Sequence, residues 1–200
     1  MLVCDDGDVV ADSTRIIERL EAVQPEPPLY PADPAQRRRA LELEEFFDEE
    51  FGPHARRMFF FEALDYPDYV VALFADGQRP ATRALYRAAH PLNRAVMRFA
   101  MGIDAARTEE SRKRVDAALD RIEAELRPSG YLAGDAFSVA DLTAAALATP
   151  FLMPAEFSYP WPPAPEPIAR WLRSQTGRPA LAWAAEMYRR HRGRSAEVAA

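Results

Sequence analysis

The residue pair Ser138 and Asp141 is the most specific chemical signal in the sequence. A serine and a carboxylate occur together in many hydrolase sites, but these also need a histidine, and none stands near this pair in the sequence. The spacing fits a capping box, in which the N-cap serine and the acid three residues later bond each other's backbone N–H groups. Phe137 and Leu142 flank the pair as a hydrophobic staple does. We therefore interpret the pair as the start of a buried helix, with a role in folding.

The other candidates for chemistry are one cysteine and three histidines. Cys4 is the single cysteine, so an intramolecular disulfide is excluded. Within a short apolar run it is more often a small core residue than a reactive thiol. His54, His90 and His191 are widely separated, and no cysteine or carboxylate stands at ligand spacing from them. We therefore expect no metal site.

The composition is that of an ordinary globular chain. Its 200 residues are 48% hydrophobic and 28% charged, and 25 basic against 31 acidic residues give a net charge of −6. A mildly acidic chain has no overall attraction for nucleic acid or anionic lipid, so we expect neither as a partner. The acidic first residues argue against a signal peptide, and the apolar run 144–153 is too short to span a membrane. These features predict a cytoplasmic protein.

The first 24 residues predict a β-hairpin followed by a helix. Two short apolar runs, 1–4 and 9–11, flank Asp-Asp-Gly-Asp, and Asp-Gly between β-forming residues is a strong turn signal. In the helical pattern that follows, Asp12 or Ser13 suits the N-cap, and the prolines from Pro25 onward end the helix. A hairpin and one helix bury too little to fold alone. The unit must therefore dock on the rest of the chain or belong to a larger sheet.

The rest of the chain predicts helices. A long apolar pattern begins at Pro34 and is expected to kink or break at Gly52-Pro53. The stretch 65–80 reads as polar and irregular, with one short apolar segment. Further helices are expected at 81–103, 108–127, 168–174 and 179–190, in addition to the helix that starts at Ser138. The chain is thus predicted to be mainly α.

Three stretches resemble the glutathione S-transferase family, in that family's order and spacing. They are YLAGD with FSVAD at 131–141, the pattern LV, DG, DS, II and LE across 2–21, and LYP with DP at 29–34. The first is similar to the family's signature around the buried helix of its helical domain. The second is similar to a strand, turn and helix of its thioredoxin-like domain, and the third to the linker between the two. The resemblance covers about residues 1–192.

The resemblance implies a fold and a division into domains. The fold would be mainly α, with a helical domain of the glutathione-transferase C-terminal type behind a partial thioredoxin-like β-hairpin plus helix. The expected divisions are a partial thioredoxin-like, glutathione-binding domain at 1–24, a linker at 25–33, an all-helical domain at 34–192 and a tail at 193–200.

The resemblance also implies a binding site. Asp12 and Ser13 match the acidic–serine pair with which the family holds the γ-glutamyl end of glutathione. There the serine hydroxyl and the first free helical N–H groups bind the carboxylate, and the acid pairs with the ammonium group. The alternative is a plain N-cap, which needs only one of the two residues. Phe51, His54 and Met58 fall on the helix that lines the family's electrophile pocket, with core packing or solvent exposure as the alternative for each.

Finally, the resemblance implies an activity. The family transfers a glutathione thiolate to a small electrophile, and a tyrosine, serine or cysteine favours the thiolate. That residue precedes the strand that Leu2 and Val3 match, so no catalytic residue is assigned here. We expect an N-terminally truncated member that lacks the first half of the thioredoxin-like domain and has weak or no activity. The resemblance further implies glutathione as substrate, no metal, and a homodimer; the alternative is a non-catalytic protein-interaction module.

Overall fold

The structure is a computed structural model that describes residues 1–4, 7–157 and 160–193. Asp5 and Asp6 of the predicted hairpin turn lie outside the described residues, as do 158–159 and the tail residues 194–200.

The chain opens with the predicted hairpin. Strand β1 (Leu2–Val3) pairs antiparallel with β2 (Val9–Val10), with Leu2 opposite Val10. The Gly7 N–H donates to the Cys4 carbonyl at 2.9 Å, and Gly7 has φ 86°, which glycine adopts without steric cost. The hairpin is therefore formed around a glycine turn.

Helix α1 (Ser13–Val23) follows the hairpin and docks on the helices behind it. The Thr14 hydroxyl donates to the Glu44 carboxylate at 2.9 Å. The Glu21 carboxylate accepts the Leu29 N–H at 2.8 Å, which fixes the connection that leaves the helix. These hydrogen bonds hold α1 to α2 and to the connection that follows it.

One long helical run follows the connection. It consists of α2 (Pro34–Phe46), a π-helical turn (Phe47–Phe51) and α3 (Gly52–Ala63). The predicted kink takes the form of this π-helical turn, immediately before the Gly-Pro pair. A Cβ at Gly52 would lie 3.0 Å from a methyl carbon of Leu147, so glycine allows a close approach of α3 to the helix that carries Leu147.

Three helices come next, α4 (Pro67–Ala75), α5 (Pro80–Ala100) and α6 (Ala105–Glu125). The prediction of an irregular stretch at 65–80 was wrong for α4. Pro67 sits in the first turn, where a helix does not need the N–H that proline lacks. Tyr69 and Val70 then bury one side of the helix, so tertiary packing stabilises a segment too short to show a clear period.

The last four helices are α7 (Val139–Leu147), α8 (Thr149–Leu152), α9 (Glu166–Gln175) and α10 (Pro179–His191). Helix α7 packs against α2, the π-helical turn and α10. Its residues Val139, Ala140 and Ala144 are fully buried, which places it at the centre of the core.

The architecture is mainly α with a small two-stranded sheet at the amino end, as predicted. Among the described residues, no helix is both long and apolar enough to cross a membrane.

Candidate functional site

Asp12 and Ser13 lie exposed at the N-terminus of α1. Asp12 is the N-cap: its carbonyl accepts the Ile16 N–H at 3.1 Å, and its carboxylate accepts the Arg15 N–H at 3.3 Å. Its backbone has φ 84° and ψ 130°, a positive φ that is uncommon for a residue other than glycine. Helix N-caps ordinarily lie in the extended region with negative φ. The Asp12 backbone is therefore strained.

Two other aspartates of the chain show that capping does not require this strain. Asp33 caps α2 with φ −68° and ψ 125°, and Asp104 caps α6 with φ −140° and ψ 170°. Their carboxylates accept backbone N–H bonds of 2.8–3.0 Å, all shorter than the single bond to Asp12. Strained backbone of this kind concentrates at functional sites. The conformation of Asp12 therefore points to a demand beyond capping.

Ser13 offers unused hydrogen-bonding groups beside that strained residue. Within the described part of the chain, its hydroxyl has no hydrogen-bond partner. The backbone N–H groups of Ser13 and Thr14 likewise have no acceptor among the described residues, as expected in the first turn of a helix. One hydroxyl and two N–H groups thus face outward where the helix dipole favours negative charge.

Acidic side chains lie on one side of this helix end. A cavity of about 320 Å³ between α1 and α2 is lined by Thr14 and Leu41 together with Glu44, Glu45, Asp48 and Glu49. Burial, with the nearby negative charges of Asp48, Glu18 and Asp12, raises the pKa of the Glu44 carboxyl. A site in this field attracts an ammonium group and repels a bare anion. The helix end therefore suits a zwitterion that carries both groups.

Sequence reasoning did not single out Glu44. It is 4% exposed and anchors α1 through the Thr14 hydroxyl. The same negative field acts on buried Tyr30, whose pKa is raised to about 12 by burial and by Glu44, Glu18 and Glu21. The sequence did offer one signal for Glu44, which is an acidic residue on the apolar side of a helical pattern. Acidic side chains are seldom buried without a partner.

Phe51 and Met58, predicted to line an electrophile pocket, lie in the hydrophobic core. Phe51 is fully buried and stacks on Phe151, with ring centroids 6.2 Å apart. Met58 is 3% exposed. The cavity beside α1 is lined by other residues. Contact of Phe51 and Met58 with an electrophile stays a prediction.

His54, the third pocket candidate, belongs to a polar cluster with Arg57 and Ser111. The Ser111 hydroxyl lies 3.0 Å from His54 Nδ1, and Arg57 donates to the hydroxyl at 2.7 Å and lies 3.2 Å from Nδ1. The Ser111 hydroxyl in turn donates to the Arg107 carbonyl at 2.9 Å, so the cluster joins α3 to α6. Burial lowers the pKa of His54, and the charge of Arg57 lowers it further.

Ser138 and Asp141 form a capping box at the start of α7. Asp141 is fully buried, and its carboxylate accepts the Ser138 N–H at 2.9 Å, the Ser138 hydroxyl at 2.7 Å and the Leu132 N–H at 2.9 Å. Burial nevertheless raises the pKa of this carboxyl. Every bond it makes is internal, so the pair organises the fold and has no free group for a ligand.

No cluster of three or more metal-ligating side chains occurs among the described residues. Cys4 is a half-buried free thiol beside the hairpin turn.

The chain is similar to known proteins in one domain of its sequence and in its fold. The model of the glutathione S-transferase C-terminal domain matches residues 105–174. A search of curated protein sequences found no match. The beta-etherase LigF from Sphingobium sp. strain SYK-6 is similar in structure, with 25% identity and a TM-score of 0.52 over 90% of this chain and 75% of that one.

A glutathione S-transferase from Methylobacterium radiotolerans, solved in complex with glutathione sulfonate, is 19% identical with a TM-score of 0.47, over 92% of this chain and 69% of that one. The matched domain model covers α6, α7 and the capping box between them. Residues 105–174 are therefore similar to the C-terminal helical domain of the glutathione S-transferase family.

Proposed function

We propose that Asp12 and Ser13 bind the γ-glutamyl end of glutathione. The observation that carries the proposal is the backbone of Asp12, which is strained where the capping aspartates Asp33 and Asp104 are not. Strain that capping does not need is retained where a ligand uses the resulting geometry.

Each group at the helix end has a distinct part in this proposal. The Ser13 hydroxyl and the N–H groups of Ser13 and Thr14 bind the α-carboxylate of the γ-glutamyl residue, and the helix dipole adds to the attraction. The Asp12 carboxylate pairs with the α-ammonium group. The acidic cavity between α1 and α2 favours that ammonium and selects against ligands that carry only negative charge.

The reaction we propose for the protein is transfer of the glutathione thiolate to a small electrophile. The sulfur attacks carbon, a C–S bond forms, and the leaving group departs with the electron pair of the broken bond. The contribution of the helix end is to position the thiol for attack, since orientation of bound reactants lowers the barrier. No described residue is assigned to thiol activation. We further propose a cytoplasmic homodimer.

The choice of electrophile follows from the structural neighbour. LigF is named as a beta-etherase. An ether whose alkoxide or phenoxide leaves as the C–S bond forms is therefore the first electrophile to test, beside a general chloroarene. If the full chain converts either electrophile faster than glutathione does without protein, the result supports transfer of the thiolate.

Calorimetric titration of the full chain with glutathione tests the binding step. Ser13→Ala removes one hydrogen bond to a charged group and should weaken binding about tenfold. Asp104→Asn is the matched control, because it alters a helix cap of the same type far from the ligand. Equal affinity of the native chain and Ser13→Ala would contradict the proposal.

The second candidate is a non-catalytic protein-interaction module. It is favoured by the exposed apolar side of α5, where Leu85 and Leu92 are each 68% exposed and Phe99 is 91% exposed. Absence of glutathione binding in the titration, with a stable complex to another protein chain, would favour this candidate.

A further inference from the structure

A second cavity, of about 350 Å³, lies between α4 and α5 and shares no lining residue with the cavity beside α1. Helix α4 supplies an apolar wall of Val70, Val71 and Phe74. Helix α5 supplies the polar side chains of the lining, which are Tyr86, His90, Asn93 and Arg94. At 100° per residue these four positions share one side of the helix. The cavity therefore has an apolar wall opposite a wall that carries polar groups.

His90 is the most deeply buried of these polar groups, with 7% of its surface exposed. Its Nε2 lies 3.0 Å from the Leu64 carbonyl oxygen. Because a carbonyl oxygen can only accept, Nε2 carries the ring proton. Nδ1 of the neutral ring then holds a lone pair, and it has no hydrogen-bond partner in the part of the chain that the structure describes. A buried acceptor without a donor is costly, so the cavity favours a ligand that donates an O–H or N–H group.

Two aromatic rings with open surface border the cavity. Phe74 stacks on Phe60, with ring centroids 6.0 Å apart and an interplanar angle of 16°, and is still 54% exposed. Tyr86 is 43% exposed. Aromatic rings attract one another in offset-stacked and edge-to-face arrangements. An aromatic ligand can therefore pack on the part of Phe74 that Phe60 leaves open.

The charges at the cavity favour a neutral ligand. Among its described lining residues only Arg94 is charged, and its Nε donates to the Asp65 carboxylate at 2.8 Å in an ion pair. The exposed Asn93 side chain, which can both donate and accept, adds polarity without charge. A charged ligand would lose hydration against the apolar wall and would find no unpaired counter-charge.

We propose that the cavity between α4 and α5 binds a small neutral aromatic molecule with a hydroxyl group, which donates to Nδ1 of His90 while the ring packs on Phe74. The volume lies at the lower end of the range of small-molecule sites. This site is additional to the one proposed for glutathione at α1. Its test reads binding alone and contains no glutathione, so either proposal can fail without the other.

Fluorescence titration of the full chain with 2-naphthol is the first test. Binding should be saturable and about tenfold tighter than that of 2-methoxynaphthalene, which has the same rings but cannot donate a hydrogen bond. In His90→Gln the two probes should bind about equally. Glutamine can still donate to the Leu64 carbonyl, but it places no acceptor where Nδ1 stands. Equal affinity of the two probes for the native chain would overturn the proposal.

A cavity-filling substitution locates the probe without altering His90. Val96 lines the cavity and is 55% exposed, so Val96→Trp should fold normally. Its indole should lower the affinity for 2-naphthol by about tenfold or more, because it occupies the volume that the probe needs. Val23→Trp is the matched control, since Val23 is a 69% exposed valine at the end of α1, and it should bind the probe as the native chain does. Native affinity in Val96→Trp, or no saturable binding by the native chain, would overturn the proposal.

The ring nitrogen of His90 gives the most specific readout. Long-range ¹H–¹⁵N spectra of the full chain separate the ring signals of its three histidines. The Nδ1 signal of His90 should move upfield as 2-naphthol saturates the site, because this nitrogen accepts a hydrogen bond, and it should move much less with 2-methoxynaphthalene. A shift of equal size with both probes, or no shift with either, would contradict the assignment of His90 as the acceptor.

Discussion

The N-termini of α1 and α7 carry the same residue types and use them in opposite ways. At α7, Ser138 and Asp141 are buried, and the acid accepts three internal hydrogen bonds. At α1, Asp12 and Ser13 are exposed, the cap has one long bond and a strained backbone, and the hydroxyl is unused within the described chain. A satisfied helix end stabilises a fold, whereas an unsatisfied and strained one is available to a ligand. The difference lies in burial and backbone conformation and not in residue identity.

The largest expected effect is at α7. Asp141→Ala leaves two backbone N–H groups and a hydroxyl buried without an acceptor, which should lower the free energy of unfolding by about 3 kcal/mol or more. Urea denaturation of the native and variant chains measures this. A loss as small as that of the exposed cap variant Asp104→Asn would remove the contrast between the two helix ends.

The next effect concerns the charge that Asp12 is proposed to recognise. Glutathione should bind the native chain about tenfold better than glutaryl-cysteinyl-glycine, which lacks only the α-amino group. In Asp12→Asn the two ligands should bind nearly equally, because the ammonium group loses its partner. Competition titrations give the four affinities. Discrimination that persists in Asp12→Asn would assign the ammonium contact to another residue.

A smaller effect is expected on stability at the same position. Asp12→Gly removes the strain at this position, because glycine adopts a positive φ without steric cost. Glycine as an N-cap lowers the stability of the helix by only a few tenths of a kcal/mol. The variant should be as stable as the native chain or more stable by about 1 kcal/mol. Asp33→Gly, at an unstrained cap, should be less stable. A clear loss of stability in Asp12→Gly, seen as a lower thermal midpoint, would show that Asp12 is retained for capping.

The smallest expected effect concerns His54. This residue was predicted to line a pocket, and it lies in a polar cluster with Arg57 and Ser111. Its pKa is lowered in the folded chain, so the unfolded chain takes up a proton first as the pH falls. The neutral form contributes stability that is fully present above the unfolded pKa near 6.5 and is lost as the pH falls from there through the folded value. The native chain should therefore lose more stability than His54→Gln between pH 7.5 and pH 5. Parallel pH profiles of the two chains would contradict this interpretation of the cluster.

The sequence predicted the features that depend on local chemistry. Capping-box spacing located the start of α7, and Asp-Gly between apolar runs located the hairpin. It failed where tertiary packing decides, as in α4, whose short apolar segment has no readable period. The strain at Asp12 could not be predicted from the sequence either, because an aspartate before a helix indicates an N-cap whatever its φ angle is. The free side of α5 is similar: an apolar helix side predicts burial, and only the structure shows what does or does not cover it.

The most direct test of the central claim is a titration of the ¹⁵N-labelled full chain with glutathione, followed through the backbone amide signals in NMR spectra. If the helix end of α1 binds the γ-glutamyl group, the saturable shifts should be largest for the N–H groups of Ser13, Thr14 and Arg15, and those at the start of α7 should stay in place. Saturable shifts centred elsewhere, or no shifts at millimolar glutathione, would contradict the account.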